Sequence, residues 1–233
     1  MRRYRLTVRG EELVNNQDIR LFLPNHPAQV DAPLLGAYLQ KRMKIVPIVS
    51  DRFVTMPVVG YFMRKMDSIS VTDLSTGKRD PDVLKNIMIQ SNESVKEGKN
   101  LILYPAGQIK ERAAEEIGNK QSAYLLVSEL PEDVRIIGVK ITGLWGSMWS
   151  RANRKDKPNF GLTLLKGMLL TFANLIFLQP KRKVEIEFQD ISDQARKVAQ
   201  GSRQEFNRYL EDFYNGPEAE PNVKVRYFFY LPI

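Results

Sequence analysis

Seven stretches carry apolar residues with the density and β-branched character of strands: 3–8 (RYRLTV), 19–23 (IRLFL), 44–49 (KIVPIV), 67–71 (DSISV), 100–104 (NLILY), 134–142 (VRIIGVKIT) and 183–188 (KVEIEF). Between them the spacing turns helical. Residues 31–41 place Leu34, Leu35, Tyr38 and Leu39 on one face. A second helix, 82–96, follows Pro81, with Asp80 as a candidate cap, and stops at Gly98. The third, 192–214, sets Ala195, Val198, Phe206, Leu210 and Phe213 at helical spacing, with Gly201 as its weak point. Strands alternating with helices predict an α/β fold, a single-domain sandwich with a largely parallel or mixed central sheet flanked by helices. That domain is expected to span 1–214. The remainder, 215–233, opens like a linker (NGPEAEP) and ends apolar, so it either docks on the body or begins something longer.

A further apolar run, residues 160–178 (FGLTLLKGMLLTFANLIFL), contains Lys166. As a bilayer span it would hold that charge near the centre at a cost of about 2.5–3.5 kcal/mol, so lying in the membrane interface is easier. Burial in the domain core is the alternative.

Charge sharpens this choice. The net charge is +8, and residues 139–183 account for it: nine basic residues (Lys140, Arg151, Arg154, Lys155, Lys157, Lys166, Lys181, Arg182, Lys183) stand there against Asp156 alone. A field so concentrated attracts a polyanion. Nucleic-acid grooves interleave cations with exposed aromatics and have little use for a greasy helix, so an anionic membrane surface is the expected partner and nucleic acid is not.

The chain has no cysteine, which excludes disulfides, thiolate metal sites and a cysteine nucleophile. With one histidine as well, no metal-ligand spacing exists and no cofactor is expected. The start, MRRYRLTVRGEEL, is basic with no apolar run behind it, so it reads as neither a signal peptide nor an anchor. A cytoplasmic protein, peripheral on the inner face of a membrane, is expected. The segment STGK at 75–78 lacks the glycine a P-loop needs, Thr72 standing in its place, and reads as an exposed turn. Glu115 and Glu116 read as a solvated helix face. Trp145 and Trp149, with Met148 between them, suit an acyl pocket, a membrane interface or the core.

The lone histidine, His26, follows the strand IRLFL in the turn PNHPAQVD. A turn histidine without a task is the commoner fate of such a residue. Here, Asn25 and Pro27 make a tight strand-to-helix corner, where α/β sheets place ligands. Asp31 comes five residues later, across small or uncharged positions, so a bend after His26 can bring its carboxylate to the imidazole. A carboxylate on one ring nitrogen fixes the tautomer and leaves the other to accept a proton.

The motif NHPAQVD resembles the NHxxxxD signature of the glycerolipid acyltransferase family, which includes lysophosphatidic acid acyltransferases. Two later blocks are similar to the family in the expected order: LILYPAGQIK (101–110), where a strand ending in FPEGTR belongs, and VRIIGVKITGLWG (134–146). The resemblance covers roughly residues 19–146. It implies that His26 is the general base, oriented by Asp31, and that the acceptor hydroxyl attacks an acyl-CoA or acyl-carrier-protein thioester directly. It implies a lysophospholipid or glycerol phosphate lipid as acceptor, with Asn25, Gly107, Gln108, Lys110 and Arg112 as substrate-binding positions and backbone N–H groups near Gly107 or after NHP as oxyanion donors. Four residues depart from the family. Ala106 replaces the glutamate of Pro-Glu-Gly, Gln108 and Ile109 stand where an arginine is common, and Asp73 occupies a second arginine position. Those arginines are associated with the acceptor phosphate, so Lys110, Arg112 or Lys120 must substitute, or the acceptor's phosphate is esterified. Loops like YPAGQI also resemble acyltransferase portions joined to acyl-carrier-protein ligases, which makes a linked or separate acyl-ligase a partner. A catalytically silent lipid-binding relative is the alternative reading.

Overall fold

All seven apolar runs become strands of one sheet. In the computed structural model, which describes residues 3–15, 17–56, 59–71, 81–174, 180–227 and 229, they are β1 (Tyr4–Arg9), β2 (Arg20–Pro24), β3 (Ile45–Ser50), β4 (Ile69–Val71), β5 (Asn100–Leu103), β6 (Arg135–Thr142) and β7 (Arg182–Asp190). Asp73, the STGK turn, the Asp80 cap and residues 175–178 of the greasy run lie outside the described residues. The strand order is β1-β7-β6-β2-β5-β3-β4. Every pair is parallel except β6 with β7, so β1 and β7 run against the other five. Of the two arrangements predicted, largely parallel or mixed, the sheet is mixed, with five of its seven strands parallel to one another.

Chemistry explains the placement. β2 is apolar almost throughout and buried along its whole length, as a central strand covered on both faces must be. β1 alternates half-buried and exposed residues, sending Arg5, Thr7 and Arg9 to solvent from an edge. Along the central strands alternate side chains enter two cores. One contains Leu21, Leu23, Leu101 and Ile136 with residues of the helices α4 (Pro81–Lys96), α5 (Ser122–Glu129), α7 (Ser192–Ala199) and α8 (Arg203–Tyr214). The other contains Phe22, Ile102, Ile137 and Val139 with α1 (Asp31–Leu39) and Trp149. Gly138 of β6 lets the Phe213 ring of α8 approach closely, since a Cβ there would come within 2.7 Å of that ring.

The long C-terminal helix divides where Gly201 predicted weakness. α7 ends at Ala199, and α8 starts afresh behind Ser202, whose hydroxyl and the Glu205 carboxylate form a reciprocal capping box. Periodicity did not predict α2 (Asp51–Thr55), α3 (Val59–Lys65) or α5, which are short.

The greasy run forms α6 (Phe160–Ala173), and its polarity is inverted. The face turned to the protein carries Thr163, Gly167 and Leu170, while Leu162, Leu164, Leu165, Met168, Leu169 and Phe172 are exposed, Phe172 at 76%. Among the described residues, no helix is long and apolar enough to cross a membrane. The tail runs back over the body: Val223 N–H donates to Trp145 O at 3.2 Å, and the Asn174 side chain exchanges hydrogen bonds with Phe229.

Candidate active site

β2 is the central strand, and the chain leaving it crosses to β3 on one side, whereas the chain leaving its neighbour β5 returns to β6 on the other. The two connections leave on opposite faces, α1 packing in one core and α5 in the other, and such an arrangement of adjacent parallel strands opens a crevice at their carboxyl ends. His26 follows β2 and Tyr104 follows β5, so both stand at this crevice, their ring centroids 4.4 Å apart.

The corner is rigidly held. Asn25, buried, donates its amide N–H to Ile141 O (3.0 Å) and accepts from Ile141 N (2.7 Å), extending the β2–β6 pairing by side chain. Its expected contact with substrate is thereby corrected, because both ends of the amide are engaged. His26 O accepts from Lys110 N at 2.9 Å, tying the corner to the loop after β5.

Asp31 is the first residue of α1 and fully buried. Its carboxylate lies 2.9–3.0 Å from His26 Nδ1 and also accepts from Ala28 N at 2.9 Å. A carboxylate at the first turn of a helix also interacts favourably with the helix dipole. His26 Nδ1 thus carries the proton toward Asp31, and its Nε2 has no hydrogen-bond partner among the described residues; the side chain is 18% exposed.

The sequence profile of the acyltransferase family matches residues 5–142, more than half of the chain. The chain belongs to the acyltransferase family. Among solved structures, the crystal structure of the 1-acyl-sn-glycerophosphate (LPA) acyltransferase PlsC from Thermotoga maritima shares its fold at a TM-score of 0.54 and 18% sequence identity, over 90% of this chain and 69% of that one. No curated protein sequence matches the chain.

In this acyltransferase a second carboxylate, which the sequence reading put on a solvated helix face, reaches the histidine. Glu115 lies in a loop and is 2% exposed, and its Oε2 accepts from His26 N at 3.1 Å. Only Glu116 is at the surface. The loop is set by α8 and the residue after it: Asn215 exchanges hydrogen bonds with the Glu115 backbone (2.7 and 2.8 Å), Glu211 accepts from Ile117 N (2.6 Å), and Asn207 donates to Gly118 O (2.7 Å). No local pattern marks Glu115. The helix that places it lies about 90 residues away in the chain, as the contacts of Asn207 and Glu211 show.

Burial of the Glu115 carboxyl raises its pKa to about 7, against the opposing pull of the His26 N–H bond and the His26 and Lys110 charges. For His26, burial alone would lower the pKa; the Asp31 charge and hydrogen bond, helped by the Glu115 charge, outweigh it and leave the ring more basic than usual. Burial, with the Asp31 and Glu115 charges, pushes the Tyr104 hydroxyl well up, so the phenol stays neutral. The Lys157 ammonium also acts on His26 through its charge, and it donates to Gln108 Oε1 at 2.8 Å.

The remaining expected substrate residues separate. Gly107 and Gln108 are exposed beside the corner, but Gly107 N–H closes a turn on Tyr104 O (3.0 Å), and its φ of +65° is what the turn requires of a glycine. That amide is therefore not an oxyanion donor, and neither are those of Ala28, Gln29 and Asp31, which bond Asp31 Oδ2, Trp149 O and Ala28 O. Lys110 is buried: it bonds Ala113 O (2.8 Å) and Glu220 (2.6 Å) and lies over the Trp145 ring, a structural post and not a cation offered to phosphate. Arg112 is at the surface, 3.6 Å from Glu116. Trp145 and Trp149 are both buried.

Proposed function

We propose that the protein transfers a fatty acyl group from a thioester donor, acyl-CoA or an acyl-carrier protein, to the hydroxyl of a lysophospholipid or glycerol phosphate lipid, at an anionic membrane surface. The observation that carries the reading is the buried Asp31 carboxylate 2.9–3.0 Å from His26 Nδ1, with Nε2 unpartnered in a crevice at the strand ends. In this mechanism Nε2 takes the proton of the acceptor hydroxyl as that oxygen attacks the thioester carbonyl. The tetrahedral intermediate collapses to the ester, the C–S bond breaks, and the departing thiolate takes the proton from His26. Asp31 holds the productive tautomer and stabilises the transient imidazolium. A neutral Tyr104 packs on the ring and limits water at that face.

The exposed apolar face of α6 supports the membrane part. Six large apolar residues face outward from a helix that lies within 139–183, the segment that accounts for the net charge of +8, the composition of an interfacial helix on anionic lipid.

The test is His26→Ala, assayed with an acyl thioester and a panel of lysophospholipids. Transfer is expected to fall about a hundred- to ten-thousand-fold, the usual contribution of a general base, with an unchanged circular dichroism spectrum. Turnover close to wild type would remove the assignment.

A further inference from the structure

On the inner side of α6 lies a cavity of about 320 Å³ that the His26 chemistry does not use. Its lining includes Arg3, Arg154, Lys166, Arg182 and Lys224, and among its described lining residues there is neither Asp nor Glu. These cations come from five places: the residue before β1, the loop after β6, α6, the first residue of β7 and the tail. The fold, more than any run in the sequence, concentrates them.

Two of the five show what the site lacks. Arg182 is 8% exposed, and its guanidinium donates to the carbonyls of Gly143 and Val223, both at 2.8 Å. Arg3 donates to the Tyr227 hydroxyl (2.5 Å) and toward Gly167 O (3.4 Å). These partners are neutral. The Glu220 charge reaches Arg182, but Glu220 is itself paired with Lys110 at 2.6 Å. Burying the Arg182 guanidinium beside the half-buried Arg3, with no carboxylate among the described lining residues, is costly unless an anion completes the site. Arginine forks match the oxygens of phosphate, and the lysines add compact charge. Elsewhere the lining mixes polar groups (Ser147, Ser150, Asn153) with an apolar wall of Met148, Trp149 and Leu170, which fits a phosphate carried on an organic body.

Position relates the cavity to the crevice. Trp149, in its wall, accepts from Gln29 N at 3.1 Å, and Gln29 is three residues beyond His26. β1 and β7 run against β2, so their first residues lie at the same end of the sheet as His26.

We infer that this cavity binds the phosphate of a substrate, either the headgroup phosphate of the acceptor or a nucleotide phosphate of the donor. Only the choice between those two sources rests on the acyl-transfer reading.

The experiment is calorimetric titration of the whole chain with inorganic phosphate, coenzyme A, lysophosphatidate below its critical micelle concentration, and monoacylglycerol as the uncharged control. Wild type is compared with the double variant Arg154→Ala/Lys224→Ala, since both side chains are exposed and their removal leaves no buried partner behind. A phosphate ligand is expected to bind wild type and to weaken at least about tenfold in the variant, while monoacylglycerol is unaffected. Weakening confined to coenzyme A assigns the donor, and weakening confined to lysophosphatidate assigns the acceptor. Phosphate ligands that bind both proteins equally, or bind neither, overturn the inference. Because binding is read without turnover, a His26→Ala protein that still transferred acyl groups would defeat the proposed mechanism and leave this result standing.

Discussion

His26 is governed by two carboxylates that approach it from different directions. Asp31 meets the ring at Nδ1, and Glu115 meets the backbone N–H of the same residue. Both charges favour the imidazolium, so His26 loses its proton above its ordinary 6.5, and under the proposed mechanism, in which the ring must be neutral to act, activity rises with pH through that raised value. Replacing Glu115 with Gln keeps an oxygen for the His26 N–H and removes one of those charges. The rising limb of kcat/KM against pH is then expected to move to lower pH, and a pH profile of the two proteins checks it; a limb that stays in place would mean that the Glu115 charge does not reach the base. Asp31 was legible in the sequence because five residues suffice to return a carboxylate to the ring. Glu115 was not, because its place depends on Asn207, Glu211 and Asn215, which belong to or follow a helix formed at the other end of the chain.

Among the elements, α6 departs most from the usual pattern of a helix on a sheet. Its buried face of Thr163, Gly167 and Leu170 holds one large apolar residue while its outer face holds six, so packing against the body leaves the hydrophobic drive of Leu165, Phe172 and their neighbours unsatisfied. The double change Leu165→Ser/Phe172→Ser removes two side chains each worth about 1.5–3 kcal/mol when fully buried, so sedimentation with anionic vesicles is expected to weaken at least about tenfold. Folding stability should remain within roughly 0.5 kcal/mol, as for other exposed positions. Vesicle binding equal to wild type would take the membrane contact away from this face. Hydropathy identified the run and Lys166 argued against a span, but hydropathy alone could not orient it. Lys166 is half-buried on the cavity side, and only the packed structure shows that the greasy residues were left outside.

Across the whole molecule the tail beyond α8 joins distant parts. Glu220 accepts from Lys110 Nζ (2.6 Å) and from Gly143 N (2.7 Å), linking the loop after β5 to the loop after β6. The pair is buried on both sides, Lys110 at 4% and Glu220 at 10% side-chain exposure, so Glu220→Ala strands an ammonium inside the protein. Urea denaturation is expected to show a loss of about 3–5 kcal/mol, while Arg112→Ala, which breaks an exposed pair two residues away, should cost no more than about 1 kcal/mol. Equal effects would mean that the tail does not anchor Lys110. The sequence by itself determined the seven strands and the His26–Asp31 pair, because each is written in local spacing: alternation, apolar runs and a five-residue return. Tertiary structure alone decided which carboxylate reaches the histidine backbone, that Lys110 is a post while Arg112 is at the surface, and that cations from five segments share one cavity. Those outcomes depend on which remote segments pack together and on how far each group is removed from water, and no local pattern encodes either.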